Sequence, residues 1–143
     1  MFSSEFNFRI FRPARGEPLA LPVFLSRVAA GFPSPGDDFA DTALDLNELV
    51  EHPAATFFVR VSGESMQEAG IDDGDLLIVD RSRNARPGDI VVAVADGGMT
   101  VKRLQRRRDG WWLMAANRGF AAMQMREDAE IWGVVAHVVK SFR

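Results

Sequence analysis

From residue 56 onward, short runs of β-branched and aromatic residues alternate with tight turn residues. This spacing constrains the fold more than any other feature of the chain. Thr56-Phe57-Phe58-Val59-Arg60-Val61 is built from residues that pack well on a pleated surface. Asp75-Leu76-Leu77-Ile78-Val79-Asp80 is a nearly continuous apolar run between turn residues, the pattern of a strand buried on both faces. Pro87-Gly88-Asp89 turns the chain into Ile90 to Val94, and Asp96-Gly97-Gly98 turns it again into Met99 to Gln105. Asp109-Gly110 marks a hairpin turn into Trp111-Trp112-Leu113-Met114. Glu130 to Val139, rich in valine, is the last strand. Strands this frequent, joined by such short turns, predict a mainly β fold, a compact and largely antiparallel domain.

The preceding segment reads differently. Prolines at 13, 18, 22, 33 and 35 and glycines at 16, 31 and 36 break up regular elements across residues 1–44. Yet this segment carries Phe6, Phe8, Ile10, Phe11, Leu19, Leu21, Val23, Phe24 and Leu25, too many large apolar groups for a plain linker. It is expected to be an extended N-terminal arm lying on a surface of its own domain or of a partner, ahead of a β domain over 45–143. Within it, Val28-Ala29-Ala30-Gly31-Phe32-Pro33 offers small side chains that admit a protease to the backbone, and Gly31 permits tight bends. Ala30-Gly31 is thus a candidate cleavage point, although an ordinary loop fits the same residues. Asp45-Leu46-Asn47-Glu48-Leu49-Val50 predicts a short helix, with Asp45 as cap, Glu48 completing a box-like pattern, and Pro53 discouraging continuation.

Composition narrows the chemistry. Of 143 residues none is cysteine, which excludes disulfides, thiolate metal sites and a cysteine nucleophile, and is compatible with a reducing cytosol. A net charge of -3 gives no general attraction to nucleic acid or membrane. No apolar run approaches the ~18 residues of a membrane span, and the first residues lack the pattern of a secretory signal.

Two residues stand out as candidate chemistry. Ser65, in Ser62-Gly63-Glu64-Ser65-Met66, follows a strand and precedes the helix-compatible Gln67-Glu68-Ala69, which predicts a hydroxyl at an exposed corner. Backbone N–H groups beside it, at a helix start, have no partner within the helix and can receive a developing oxyanion. A serine after a strand is also a common turn or cap residue. Lys102 lies mid-strand and shares a face with Thr100 and Leu104 by the period of two. If that face is inward, burial favours the neutral amine; desolvation lowers a lysine from ~10.4 by up to ~3–5 units, enough for a general base. A serine hydroxyl needs such a base. If the face is outward, Lys102 is a solvated neighbour of Arg103.

Other groups are less specific. His52 precedes a proline and His137 has no evident carboxylate to orient it, so a Ser-His-Asp triad is not expected. Asp72, Asp73 and Asp75 around Gly74 read as a turn rather than a calcium loop, which would be longer and carry a later glutamate. Lys102, Arg103, Arg106, Arg107 and Arg108 form a dense basic patch ahead of two tryptophans. A solvated hairpin tip, a protein contact, or phosphate contact with base stacking all fit it.

Taken in order and spacing, Ser62-Gly63-Glu64-Ser65-Met66, Gly74 to Asp80, Gly88-Asp89-Ile90-Val91 and Thr100-Val101-Lys102 resemble the LexA-type self-cleaving serine peptidases. Gly31-Phe32-Pro33-Ser34-Pro35, Asp45-Leu46-Asn47, His52-Pro53-Ala54 and the closing Gly133-Val134-Val135 to Lys140 resemble the branch of that family that serves SOS mutagenesis. The resemblance covers roughly residues 20–143. It implies a Ser-Lys dyad with Ser65 as nucleophile and Lys102 as general base, and an oxyanion hole from the backbone amides of Glu64 and Ser65. It implies a scissile bond at Ala30-Gly31, stimulation by a RecA filament on single-stranded DNA, and no cofactor or metal. The processed product is expected to be a cytoplasmic homodimer that joins a Y-family polymerase subunit in translesion synthesis, with no membrane and no sequence-specific DNA binding.

The segment before Gly31 is longer than the branch leads one to expect, and Phe6 to Phe11 has no assigned role. It is nevertheless too short for the helix-turn-helix domain that a LexA repressor carries ahead of its cleavage site. Two other functions fit the residues alone: a non-catalytic β module that binds a polymerase or filament, and a phage-type repressor fragment.

Overall fold

The computed structural model describes residues 9–11, 13, 20–24 and 40–142. The chain divides into two compact units, Met1–Pro13 with His52–Arg143, and Ala14–Glu51. Among the described residues the strands, in chain order, are β1 (Arg9–Phe11), β2 (Ala20–Phe24), β3 (Ala40–Asp45), β4 (Thr56–Arg60), β5 (Leu76–Asp80), β6 (Ile90–Ala95), β7 (Gly98–Arg107), β8 (Gly110–Met114), β9 (Met123–Gln124) and β10 (Glu130–Val139).

In the larger unit, eight strands form one sheet in the order β1-β4-β5-β10-β6-β7-β8-β9. Every neighbouring pair is antiparallel. The hairpin β6–β7 turns at Asp96-Gly97, where Asp96 holds a φ of 52° and Gly97 one of 76°. Positive φ at both central residues matches the twist of the strands it joins. The long β10 serves two partners. Its first half pairs with β6 and its second half with β5, with register shifts between Ile131 and Gly133 and between Val135 and His137. Such bulges bend a strand and increase its twist, and here they carry β10 from one neighbour to the other.

The alternation of the sequence becomes two apolar clusters. One gathers Val59, Val61, Met66, Leu77, Val79, Val92 and Val101, and the other Val91, Ala93, Leu104, Leu113 and Val134. As the apolar run predicts, β5 is buried along almost its whole length. So is the first half of β7, where Met99, Thr100, Val101 and Lys102 are all buried. Burial of Met99, Val101 and Leu104 contributes roughly 1.5–3 kcal/mol each. That is enough to hold on the same strand an amine whose desolvation costs several kcal/mol.

In the smaller unit β2 and β3 form an antiparallel pair, with Leu21 opposite Leu44. The predicted helix after it is a single 3-10 turn, Leu46–Leu49. The Asp45 carboxylate caps it, accepting from the Asn47 N–H at 3.0 Å, and Glu48 adds negative charge to the first turn. Pro53 starts a second short turn, Pro53–Ala55, in the larger unit. Proline is tolerated at the first position of such a turn and disfavours helix in the residue before it.

Candidate active site

Ser65 lies between the end of β4 and a 3-10 turn over Gln67–Ala69. Gly63 sets the entry to this loop with a φ of 114°, a conformation that side chains with a Cβ rarely adopt. The loop is then fastened at successive residues. The Gly63 N–H donates to Asp73 Oδ1 at 2.9 Å, and Asn117 Nδ2 donates to the Glu64 carbonyl at 2.7 Å. The Ala116 N–H donates to the Ser65 carbonyl at 2.8 Å, and the Glu68 N–H returns a bond to the Ala116 carbonyl at 2.7 Å. Met66, 1% exposed, anchors the loop in the core. The Ser65 backbone is therefore held from both sides before its side chain is considered.

Lys102 comes to Ser65 from the centre of β7, where it stands opposite Val91 of β6. It is 1% exposed, while its neighbour Arg103 is exposed. Its Nζ donates to Thr100 Oγ1 at 2.7 Å and lies 3.1 Å from Ser65 Oγ. Ser65 itself is 0% exposed, so its hydroxyl is turned inward to the amine instead of standing at the exposed corner expected of it. Burial penalises the charged ammonium and favours the neutral amine. A neutral amine at hydrogen-bond distance can take the serine proton and leave an alkoxide. Among the described residues, no acceptor meets the N–H groups of Glu64 and Ser65. Donors of this kind can receive an oxyanion.

The remaining candidates fall elsewhere. Ala30-Gly31 lies outside the described residues. His52 does have a carboxylate: its Nδ1 is 2.5 Å from Asp80 Oδ2. The bond partner of Ser65 Oγ is Lys102, however, and not this pair. Burial raises the Asp80 carboxyl, but hydrogen bonds from Ser82 and His52 outweigh it and lower the group to about 2. The Asp72–Asp75 turn is tied to Lys140, the residue just past β10. Lys140 Nζ donates to Asp72 Oδ2 at 2.7 Å and to Asp75 Oδ2 at 2.5 Å. Lys102 does not belong with the arginines that follow it, because the pleat sends it to the interior while Arg103 stays outside.

Two residues of the site had no role assigned from the sequence. Thr100 shares the face of Lys102, a spacing that points to contact between their side chains. Asn117 gives no local signal, since it meets Glu64 across a separation of 53 residues.

A buried serine hydroxyl against a buried strand amine, in a mainly antiparallel β domain, is the constellation of a serine peptidase that uses lysine where others use histidine. The chain belongs to the Peptidase S24-like family, whose model matches residues 22–136. This makes it a self-cleaving serine peptidase, which removes the non-catalytic module from consideration. It is 45% identical over 133 residues to Protein ImpA of Salmonella typhimurium, a match that covers 92% of this chain and 91% of that one. It is 47% identical over 122 residues to Protein MucA of Escherichia coli, covering 82% and 83%. The LexA repressor of Ectopseudomonas mendocina is 40% identical over 134 residues, with 91% of this chain matching 65% of the repressor. Within the family the chain is of UmuD type. Among the described residues no helix is long and apolar enough to cross a membrane.

Proposed function

We propose that Ser65 and Lys102 cut the chain's own arm between Ala30 and Gly31, and that the product serves error-prone DNA synthesis. The observation that carries the chemistry is the 3.1 Å approach of two wholly buried groups, Lys102 Nζ and Ser65 Oγ. Lys102 takes the hydroxyl proton as Ser65 Oγ attacks the Ala30 carbonyl carbon. The N–H groups of Glu64 and Ser65 receive the oxyanion. The C–N bond breaks, the proton passes from Lys102 to the Gly31 amine, and an ester joins Ser65 to Ala30. Water, deprotonated by the same amine, hydrolyses that ester. Residues 1–44 act as the arm and 45–143 as the peptidase domain. Because the substrate is tethered, effective concentration replaces affinity, and the fraction of time the arm spends in the site controls the rate.

The family resemblance supports the wider setting. A RecA filament on single-stranded DNA favours the cleavable arrangement in the cytoplasm. The shortened homodimer then joins a Y-family polymerase subunit in the SOS response. No cofactor enters the reaction.

The test is mass spectrometry of the purified chain at about pH 10, where lysine loses its proton, and with RecA, single-stranded DNA and nucleotide. A fragment beginning at Gly31, absent from Ser65→Ala and Lys102→Ala, is expected. Cleavage by either variant overturns the dyad, and a fragment with another start moves the scissile bond.

A further inference from the structure

The basic patch and its tryptophans play no part in the cleavage chemistry. The fold places them with two more arginines, Arg81 and Arg83, contributed by the turn that follows β5. A cavity of about 450 Å³ opens between the end of β5 and the β7–β8 hairpin, a size within the ~300–1,000 Å³ of small-ligand sites. Leu104 and Ile131 supply apolar surface, Trp111 and Trp132 supply rings, and Arg81 and Arg83 supply charge.

Each of the chain's three tryptophans carries a guanidinium over its ring: Arg81 over Trp132 at 4.6 Å, Arg106 over Trp111 at 5.0 Å, and Arg107 over Trp112 at 4.2 Å. Arg83 is partly neutralised by Asp80, at 3.3 Å. Arg81 and Arg106 meet no carboxylate among the described residues; Arg81 Nε donates to the Trp132 carbonyl instead. Trp111 remains 36% exposed.

From this juxtaposition we infer that the cavity between Trp111 and Trp132 binds single-stranded nucleic acid without sequence preference, a base stacking at the exposed Trp111 and phosphates meeting Arg81 and Arg106. A guanidinium held over an indole face places a second flat, cationic group beside the ring, and its N–H edges that make no other bond can meet phosphate oxygens; the Arg81 Nε is already committed to the Trp132 carbonyl. An acidic peptide would use those edges and leave the stacking surface idle. The overall charge of -3 makes the site local, so binding is expected to be weak and steeply salt-dependent. This goes beyond the self-cleavage and does not depend on it.

The experiment uses the full chain carrying Ser65→Ala, so that it stays intact whatever the fate of the dyad. Fluorescence anisotropy of a fluorescein-labelled oligothymidylate of about twenty nucleotides is followed at about 50 mM salt and upward. Saturable binding that quenches tryptophan emission is expected. Trp111→Ala should weaken it about tenfold or more, Trp111→Phe much less, and Arg106→Ala should reduce the salt slope by about 0.7. No saturable binding at the lowest salt overturns the inference. So does equal affinity in Trp111→Ala that still melts cooperatively. Tight binding of a Glu- and Phe-containing peptide in place of the oligonucleotide overturns it as well, and makes the cavity a peptide site.

Discussion

Thr100 and Lys102, two residues apart on one strand face, are joined by a 2.7 Å hydrogen bond from Nζ to Oγ1. This is shorter than the 3.1 Å between the same Nζ and Ser65 Oγ. The threonine therefore aims the amine, and the serine meets it where it is held. A single hydrogen bond is worth ~1 kcal/mol, and ~1.4 kcal/mol is tenfold in rate. Thr100→Val is expected to slow self-cleavage roughly fivefold, and Thr100→Ser to restore most of the rate. Time courses by gel densitometry measure both; an unaltered Thr100→Val rate would deny the threonine this role.

Cleavage should rise with pH. The reactive form of the site has a neutral Lys102, so each rise in pH increases its share until the amine has fully titrated. Beyond that point the rate is flat. A log rate against pH of slope near one, ending in a plateau, is the expected profile. A rate independent of pH between neutral and alkaline conditions would show that the proton acceptor is some other group.

Acid should destabilise the fold through Asp80. The folded carboxyl lies at about 2 against 3.8 for the free group, because its hydrogen bonds from Ser82 and His52 outweigh its burial. The folded state thus binds fewer protons than the unfolded state in that interval. The stabilisation is present above 3.8 and is lost as pH falls toward about 2. A shift of this size is worth about 2 kcal/mol at neutral pH. Urea denaturation at several pH values should show that loss in the parent chain, and Asp80→Asn should lack this share of the pH dependence.

Gly133 sits where β10 changes register, and a Cβ built there would lie 2.6 Å from Val79 Cγ1. Val79 is completely buried. Gly133→Ala is expected to destabilise by ~1–3 kcal/mol, the usual result of overpacking a core. Val79→Ala in the same chain should recover part of the loss. A thermal melt of the single and double variants decides this, and an unchanged melting temperature for Gly133→Ala would mean that the sheet relaxes freely here.

Much of this protein is written locally. The span of β10, Glu130–Val139, follows from its valines, and β5 and β6 match their apolar runs to within a residue. Gly63 and Gly97 mark their turns because the backbone there needs a positive φ. The loop that carries Ser65 is legible for the same reason, lying between a strand and a short turn. What local pattern leaves open is which face of a strand points inward. A period of two puts Thr100, Lys102 and Leu104 together but is equally consistent with either side, and only the packing of β7 against its neighbours makes Lys102 the buried residue and Arg103 the exposed one. Contacts across long separations are also beyond it. Ser65 meets Lys102 across 37 residues, and His52 meets Asp80 across 28. The sequence by itself determined the six longer strands from residue 56 onward, their turns and the presence of a serine and a lysine able to react, but not β1, β2, β3 or the two-residue β9, whose pairing depends on partners distant in the chain. The tertiary structure decided that they meet, out of water, because burial and a 3.1 Å approach are properties of the folded sheet and of no segment of it.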